Sequence, residues 1–359
     1  MNFSKKLIAT REFNSARRIT EPVRPEFLNN LHGHSFKAKI RWESDNYDDY
    51  SEGDQKLAKY LAEINYSYLN KVINNPTDLN IAKWLADKEY SSQKLELGVQ
   101  STDNQGVDMI VDGQYYAWKA YWIHAAHQLP YVPDGHKCKN MHGHNFKICV
   151  YLKGSIDDSN MCQKYHWKID LAWKKLENIL NYSCLNQISG LENPTSEILA
   201  RWVWRKIALD LENLDRVIVF ETATSGAVYD GENFSIWKEM SFDSATKYRA
   251  NQSQHTASVI HGYTYKLRIF FQAPLDILFG WTIDYGEIKE QFRPIYSLVD
   301  HQNVDDLSNI DGDDCLSLAS WILDKTIQIL PNLSRLELYQ TKGCGVILNS
   351  SLIDFYLPE

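Results

Sequence analysis

The chain has 359 residues, of which 44% are hydrophobic and 23% are charged, and its formal net charge is −8. This composition is ordinary for a soluble globular protein, and the length allows two or three domains. An acidic balance argues against a broad nucleic-acid-binding surface, which needs clustered basic residues, but it leaves room for a local basic pocket.

The sequence shows no sign of secretion or of membrane insertion. Its six cysteines lack the spacing of a disulfide framework, so we expect a reducing compartment. The first residues lack the apolar stretch of a signal peptide, and no segment is long and apolar enough to span a membrane. We therefore expect a cytoplasmic protein with no membrane partner.

A short motif begins a strand-like stretch at three places along the chain. His32-Gly33-His34 precedes SFKAKI, His142-Gly143-His144 precedes NFKICV, and His261-Gly262-Tyr263 precedes TYKLRI. The copies are about 115 residues apart, which is the length of a domain and not of a solenoid repeat. The sequence therefore predicts three tandem units, with limits at 1–115, 116–234 and 235–359.

Each unit has the order hairpin, helices, hairpin, which predicts an α+β unit made of an antiparallel sheet and two helices. Unit 2 shows this order best. A short helix is predicted after Asp170, over LAWKKLENIL. A second is predicted to begin at Pro194-Thr195-Ser196-Glu197, where a proline and an acidic residue suit the first turn.

Unit 2 carries a predicted metal site. His142 and His144 are two residues apart in an alternating stretch, so both point to the same face of a strand. His127 ends the preceding apolar stretch, which suits a neighbouring antiparallel strand. Three histidines with one open position are typical of catalytic zinc. Cys138 lies between Lys137 and Lys139, from which we expect a lowered pKa and a role as base or nucleophile.

These residues carry a family resemblance. The stretch AAHQLPYVPDGHKCKNMHGHNFKICVYL, which begins at Ala125, resembles the core of the 6-pyruvoyl-tetrahydropterin synthase family. The three residues between Cys138 and His142 resemble its bacterial 6-carboxytetrahydropterin synthase branch, which supplies 7-deazaguanine (queuosine-type) synthesis. The resemblance implies the T-fold, zinc held by three histidines, and dihydroneopterin triphosphate as substrate, with 6-carboxytetrahydropterin as product.

The resemblance also implies an assembly. Members of the family form rings of three subunits, and the rings stack in pairs. Three joined units then imply one pseudo-trimeric barrel ring per chain, and two chains would stack as a homodimer.

The three copies differ at the positions that this family uses. A three-histidine set occurs only in unit 2, so we expect a structural role for His32 and His34. Cys138 also has no counterpart in the other units. The residues at the position of His127 are Arg17 and Thr246, Tyr263 is at that of His144, and Leu28 and Ala257 are at that of Cys138.

Two further family positions divide between units 2 and 3. Glu221 is implied to anchor the pterin ring, and we align Gln100 and Gln340 with it. An Asp-His pair that works with the cysteine across a subunit boundary is intact only as Asp300-His301. If unit 3 adjoins unit 2, one complete site forms per chain, and the sequence leaves open that unit 1 or a second chain, rather than unit 3, reaches Cys138. The aligned residues elsewhere are Asn65-Tyr66 and Asn181-Tyr182.

These observations predict a zinc-dependent lyase in which Cys138 moves protons, with His301 as relay and Asp300 orienting its ring. Lys137 and Lys139 are candidate phosphate contacts. Two alternatives remain open. One is an enzyme of the same class acting on another pterin or purine-like substrate. The other is a non-catalytic scaffold or binding protein.

Overall fold

The structure, a computed structural model, describes residues 2–20, 25–43, 50–88, 95–110, 113–156, 161–248, 259–307, 310, 314–351 and 357–358. Ala257, which we aligned with Cys138, lies outside these residues.

The three units have the same order of elements. Unit 1 comprises β1 (Ser4–Arg17), β2 (His32–Glu43), α1 (Tyr50–Ala62), β3 (Ser67–Tyr68), α2 (Asp78–Lys88), β4 (Leu95–Thr102) and β5 (Gln105–Ile110). Unit 2 comprises β6 (Gln114–His127), β7 (His142–Ser155), α3 (Met161–Leu180), β8 (Ser183–Cys184), α4 (Ser196–Ile207), β9 (Leu214–Thr222) and β10 (Ser225–Tyr229). Unit 3 comprises β11 (Phe234–Tyr248), β12 (Val259–Gln272), α5 (Tyr285–Val299), β13 (Gln302–Asn303), α6 (Cys315–Ile329), β14 (Leu333–Thr341) and β15 (Cys344–Asn349).

Twelve long strands, four from each unit, form one closed antiparallel barrel. Strand β5 pairs with β6 to join units 1 and 2, and β10 pairs with β11 to join units 2 and 3. Strand β1 pairs with β15, which closes the ring between units 3 and 1. Because the sheet is closed, each of these long strands pairs with a neighbour on both sides over at least part of its length. The predicted α+β class and barrel ring are confirmed, whereas the residue limits of the units stay a prediction.

Alternating side chains give the barrel wall two different faces. In β7, Phe146, Ile148 and Val150 belong to the apolar core that includes helix residues such as Trp173 and Leu199. Because successive residues of a strand point to opposite faces, the intervening residues line the other face. The helices therefore cover one face of the wall, and that face holds most of the hydrophobic core.

The other face is rich in buried charge and points into the barrel. Glu96 binds Lys6 with an N–O distance of 2.6 Å and also binds Arg41. Lys39 on β2 and Lys147 on β7 donate to the carbonyl oxygens of residues 357 and 358, at 3.4 and 3.5 Å. These two strands are separated by three others, so they reach the same segment only across the lumen. The residues 357–358 therefore lie inside the barrel.

Helix α3 is longer than the sequence predicted, because it begins at Met161 and not after Asp170. Tyr165, Ile169, Trp173 and Leu176 are buried at helical spacing, so the apolar stripe extends a further two turns toward the N-terminus. Helix α4 begins as predicted: the Thr195 hydroxyl accepts from the Ile198 amide at 3.2 Å and caps the first turn. Among the described residues, no helix is long and apolar enough to cross a membrane.

The first hairpin of each unit extends beyond the barrel wall at one common end. Strand β6 pairs with β5 only as far as Lys119, and β11 pairs with β10 only as far as Lys238. Strands β1, β6 and β11 run in the same direction, because three antiparallel neighbours separate each from the next. The tips of all three hairpins, including the unit 2 histidines, therefore lie at the same end of the ring.

Candidate active site at the seam of units 2 and 3

The three predicted ligands of unit 2 come together at one hairpin tip. His127 at the end of β6 lies opposite His142 at the start of β7, and His144 follows two residues later on the same face. Their ring centroids are 4.5 to 5.2 Å apart. One ligand atom from each ring lies within 4.8 Å of the others. The strand register alone therefore assembles a three-histidine cluster.

The cluster fits a metal ion such as zinc. Nδ1 of His127 donates to the carbonyl oxygen of Pro194 at 3.0 Å, and Nδ1 of His142 donates to that of Asn140 at 2.8 Å. These bonds leave Nε2 as the unprotonated ligand atom. Nε2 of His127 and of His144 are buried without a hydrogen-bond partner. Burial lowers the pKa of both histidines, which favours the neutral form that binds metal.

Glu221 at the end of β9 faces this cluster. Its Oε1 lies 3.6 Å from Nε2 of His144 and 3.9 Å from Nε2 of His127. Its Oε2 accepts a hydrogen bond from the Ser196 hydroxyl at the start of α4. The carboxylate is mostly buried. The Ser196 hydroxyl binds one of its oxygens, and the other oxygen faces the histidine cluster.

Cys138 lies in a 3₁₀ turn, Lys137–Lys139, between the two strands that carry the histidines. The predicted lowering of its pKa by the flanking lysines is wrong. Burial, together with the negative charges of Glu221 and Asp284, raises the pKa of the Cys138 thiol to about 11. The side chain of Lys139 instead binds Asp134 at the surface. Without a bound cation, this cysteine is a thiol at neutral pH.

Two residues that the sequence reasoning did not select support the Cys138 loop across the seam. Nδ1 of His136 accepts from the Cys138 amide at 3.2 Å, so the proton of the neutral ring is on Nε2. That Nε2 lies 3.4 Å from Oδ2 of Asp284 in unit 3. The other oxygen of Asp284 accepts from two amides and caps α5. The loop of Cys138 is therefore tied to the first turn of a helix in the next unit.

Further contacts close the same seam around α4. Glu197 is buried, and its Oε1 accepts from the amide and hydroxyl of Thr282 at 2.9 and 3.3 Å. Tyr285 places its hydroxyl 3.5 Å from that of Ser196. Burial raises the pKa of Glu197 to about 7, although the Thr282 amide opposes the shift. The sequence signal for this seam was the PTSE segment, residues 194–197, at the start of α4. From the sequence alone, this segment predicts only a helix start.

Asp300 and His301 lie elsewhere on unit 3. Asp300 Oδ1 accepts from the Asp243 amide at 3.1 Å, and Oδ2 lies 3.0 Å from Nδ1 of His301. The His301 side chain is 75% exposed, and its ring lies against the Asp300 carboxylate, with a carboxylate oxygen of Asp243 within 4.8 Å. The carboxylate raises the pKa of His301. Unit 3 does adjoin unit 2, and residues 279–285 contact the unit 2 site. Among the described residues, Asp300 and His301 make no hydrogen bond or ion pair with that site.

The Asp300 position has a structural task in all three units. Asn65 and Asn181 accept from the amides of Asn14 and His124, each at 2.9 Å, as Asp300 does from Asp243. The residue that follows has a positive φ in each unit, 52° to 55°. The carboxylate of Asp300 and the imidazole of His301 therefore distinguish unit 3 chemically from the Asn-Tyr pairs of units 1 and 2. The three residues with positive φ are Tyr66, Tyr182 and His301.

In unit 1 an ion pair occupies the place of the histidine cluster. Arg17 lies opposite His32, and its guanidinium donates to Pro76 O at 3.0 Å and to Asp78 Oδ1 at 2.7 Å. Both charged side chains are completely buried. Burial and the charge of Arg17 lower the pKa of His34 to about 4. His32 and His34 thus accompany an ion pair, in agreement with the expected structural role.

The strand pairing corrects one sequence alignment. Lys37 pairs with Gln100, whereas its counterpart Lys147 pairs with Phe220. The residue at the level of Glu221 is therefore Ser101, which donates to Asp78 Oδ2 at 2.7 Å. In unit 3 the alignment holds, because Tyr339 pairs with Lys266 and Gln340 follows it.

The chain was compared with known proteins. The sequence profile described as 6-pyruvoyl tetrahydropterin synthase matches residues 116–232 and 235–351, which together are more than half of the chain. The chain is 36% identical over 118 residues to 6-carboxy-5,6,7,8-tetrahydropterin synthase of Synechocystis sp., covering 31% of this chain and 90% of that protein. It is 33% identical over 102 residues to a putative enzyme of that name from Archaeoglobus fulgidus, covering 27% and 79%.

Among solved structures, 6-pyruvoyl tetrahydropterin synthase of Caenorhabditis elegans aligns with 16% identity and a TM-score of 0.28. The alignment covers 31% of this chain and 92% of that one.

Proposed function

Because the chain belongs to the 6-pyruvoyl tetrahydropterin synthase family, we propose that it is a zinc-dependent lyase that acts on pterins. The proposed reaction converts 7,8-dihydroneopterin triphosphate to 6-carboxytetrahydropterin, for 7-deazaguanine synthesis of the queuosine type. The observation that carries this proposal is the three-histidine cluster of unit 2 with Glu221 beside it. The 36% identity to a 6-carboxy-5,6,7,8-tetrahydropterin synthase supports the choice of branch.

The histidine cluster is the proposed zinc site. His127, His142 and His144 would hold the ion, which supplies a Lewis acid that polarises side-chain oxygens of the substrate. The carbonyl groups of Pro194 and Asn140 fix the ligating nitrogens. The cluster lies at a hairpin tip with two of its rings partly exposed, so a substrate oxygen can reach the open position.

Glu221 is the proposed pterin anchor. A carboxylate accepts two parallel hydrogen bonds from the 2-amino group and the adjacent ring N–H of a pterin. The Ser196 hydroxyl binds Oε2 and limits rotation of the carboxylate. The carboxylate lies against the histidines, so a pterin ring bound to it would have its side chain oriented at the cluster.

Cys138 is the proposed base on the substrate side chain. With a pKa of about 11 the thiol is protonated at neutral pH, so it can act as a base only if a nearby cation lowers that pKa. The charge of a zinc ion held by the three histidines would oppose the effect of Glu221 and Asp284 on the pKa. His136 and Asp284 hold the loop, so Cys138 Sγ keeps its position while it accepts and returns a proton.

Asp300 and His301 are proposed to complete the site of a second chain. Their exposure at the end of the ring that carries the hairpin tips favours a contact between stacked rings. Asp300 orients the imidazole and stabilises its charged form, so His301 can pass a proton to and from Cys138 of the partner chain. The assembly would then be a homodimer of two barrels.

A mixing experiment tests this arrangement. Cys138→Ala and His301→Ala chains are each inactive alone if both residues are needed. Co-expressed with different tags and purified as heterodimers, they regain one intact site in two, about half of wild-type activity, if the partner supplies His301. Inactive heterodimers, with wild-type mixtures active, would place the pair within one chain or outside the mechanism.

Product analysis tests the function itself. Zinc-loaded protein is incubated with dihydroneopterin triphosphate, and the products are identified by mass spectrometry. Formation of 6-carboxytetrahydropterin is the expected result, and Cys138→Ala should abolish it while retaining zinc. A different pterin product, or no consumption by a protein that binds one zinc, would favour another substrate. No consumption and no zinc would favour the scaffold.

A further inference from the structure

Two residues that follow β15 in the chain lie inside the barrel. Leu357 and Pro358 are both buried, and Leu357 is only 4% exposed. We call residues 357–358 the lumen segment. Lys39 of unit 1 and Lys147 of unit 2 donate to its two carbonyl oxygens, so the segment is held from two separate parts of the ring.

Units 2 and 3 give the lumen segment an apolar environment. Leu357 belongs to one buried cluster with Trp118 and Cys149 on the strands of unit 2 and with Trp237 and Phe270 on those of unit 3. The ring centroids of Trp237 and Phe270 are 6.3 Å apart. Removal of the leucine side chain from water among these residues favours its place in the lumen. The segment therefore contacts all three units, through two lysines and one apolar cluster.

Two buried lysines match the backbone of the lumen segment. Lys39 and Lys147 are 5% and 8% exposed, and their ammonium groups lie 3.4 and 3.5 Å from the carbonyl oxygens of Leu357 and Pro358. Buried ammonium groups need acceptors, which a carbonyl oxygen supplies. Pro358 also has no backbone N–H that would need a partner inside the barrel. The segment therefore suits the lumen both in its side chains and in its backbone.

The length of the chain is sufficient for the segment to enter its own barrel. Asn349, the last residue of β15, pairs with Ser4 at the end of the ring opposite the hairpin tips. Lys39 pairs with Thr10, six residues further along β1 toward the tips. Six residues of a strand rise about 20 Å, whereas the eight residues from Asn349 to Leu357 can span about 26 Å. The difference leaves length for the chain to turn from the wall into the lumen.

We propose that the lumen segment closes the interior of the barrel to solvent. This inference is independent of the proposed function, because it concerns the inside of the ring and not the seam site. Cys149 can report on it, since its thiol is fully buried in the same cluster as Leu357. Burial raises the pKa of this thiol to about 12. Entry of water would therefore increase both the access of a reagent and the fraction of reactive thiolate.

The test measures alkylation of Cys149 by iodoacetamide in the folded full chain, with peptide mass spectrometry to identify the labelled cysteine. Leu357→Lys places a third cation near Lys39 and Lys147 and should expel the segment, which raises the labelling rate of Cys149 at least ~10-fold. The matched variant Leu357→Met keeps the volume and the apolar character and should keep the wild-type rate. Cys162 is equally buried but lies in the helix-side core, so it should stay unlabelled throughout.

Rapid labelling of Cys149 in the wild type, or equal protection in Leu357→Lys, would overturn the proposal. If Leu357→Lys also exposes Cys162, the smaller change Leu357→Ala decides. Faster labelling of Cys149 alone in that variant supports closure, and any other pattern refutes it. Protection in the wild type should also survive about a hundredfold dilution. Loss of protection on dilution would show that the segment of a second copy fills the lumen, and would refute closure by the same chain.

Discussion

The hairpin tips of units 1 and 2 place different chemistry on the same backbone. In unit 2, His127 donates to the carbonyl of Pro194 and keeps Nε2 without a hydrogen-bond partner. In unit 1, Arg17 donates to the equivalent carbonyl of Pro76 and forms an ion pair with Asp78. The same position of the fold therefore carries one imidazole of a three-histidine cluster in unit 2 and one member of a buried ion pair in unit 1.

The carboxylate and hydroxyl are exchanged between the two tips. Unit 2 has Glu221 on the strand and Ser196 on the helix, joined by a hydrogen bond. Unit 1 has Ser101 on the strand and Asp78 on the helix, also joined. The pair is kept, but the carboxylate moves from the strand, where it faces the histidine cluster, to the helix, where it binds Arg17. Unit 1 therefore has the contacts of a stabilising seam, and unit 2 those of a binding site.

Metal binding and activity should distinguish the tips most strongly. His127→Ala should remove bound zinc and lower pterin turnover by at least ~10³-fold, since it deletes a ligand from the three-histidine cluster. His34→Ala, which removes a histidine of the unit 1 tip, should leave both unchanged. Zinc content by atomic absorption and turnover by product analysis measure this. Equal zinc loss in the two variants would contradict the assignment of the site to unit 2.

The free energy of unfolding, by contrast, should depend strongly on the ion pair of the unit 1 tip. Arg17→Met leaves the Asp78 carboxylate buried without its partner and should lower the free energy of unfolding by about 3–5 kcal/mol. The double variant Arg17→Met/Asp78→Asn should recover much of this loss. Urea unfolding of the metal-free proteins provides the measurement. A loss below ~1 kcal/mol for Arg17→Met would mean that water or another group satisfies Asp78.

The seam of unit 2 should show a distinctive pH dependence. Because the pKa of Glu197 rises from 4.5 to about 7 on folding, the folded state binds the extra proton between these values. Its contribution therefore lowers the free energy of unfolding as pH rises from 4.5 to 7, by up to about 3 kcal/mol. Glu197→Gln keeps the acceptor for Thr282 and should remove this slope. Parallel stability curves for the variant and the wild type would contradict the prediction.

The comparison can also be reversed by design. Arg17→His/Asp78→Ser/Ser101→Glu gives unit 1 the side chains of the unit 2 tip, beside His32 and His34. We expect zinc to rise from about one to about two per chain, because the strand register already places the three imidazoles on one face. Equilibrium dialysis against zinc measures the stoichiometry. A stoichiometry of one in a folded variant would show that the backbone of unit 1 also differs.

Much of the fold was predictable because its signals are local and repeated. The three HG-containing motifs mark the start of the second strand in each unit, and alternation within strands separates helix-facing from lumen-facing residues. The start of α3 was missed because Tyr165 and Ile169 extend the apolar stripe beyond the segment chosen. Gln100 was misaligned because the pairing of β4 is irregular beyond it, and a one-residue shift cannot be seen without the partner strand.

The histidine cluster was predictable for the same reason, since His142 and His144 need only the period of a strand and His127 only the opposite strand of a hairpin. The chemistry of Cys138 was not. Flanking lysines predicted a lowered pKa for the thiol, but burial, together with Glu221 and Asp284 from distant parts of the sequence, raises that pKa. No feature of the sequence indicated a role for His136, because its partner, Asp284, is in another unit.

The sequence by itself determined the three units, the antiparallel hairpins and the three histidines on one face, because periods of two residues and repeated motifs act over short distances. The tertiary structure decided what those residues can do. It placed Glu221 against the histidines, closed unit 1 with an ion pair, and brought residues 279–285 rather than Asp300 and His301 to the unit 2 site. Burial, charge and pairing between units are properties of the closed barrel, which no single segment of the chain contains.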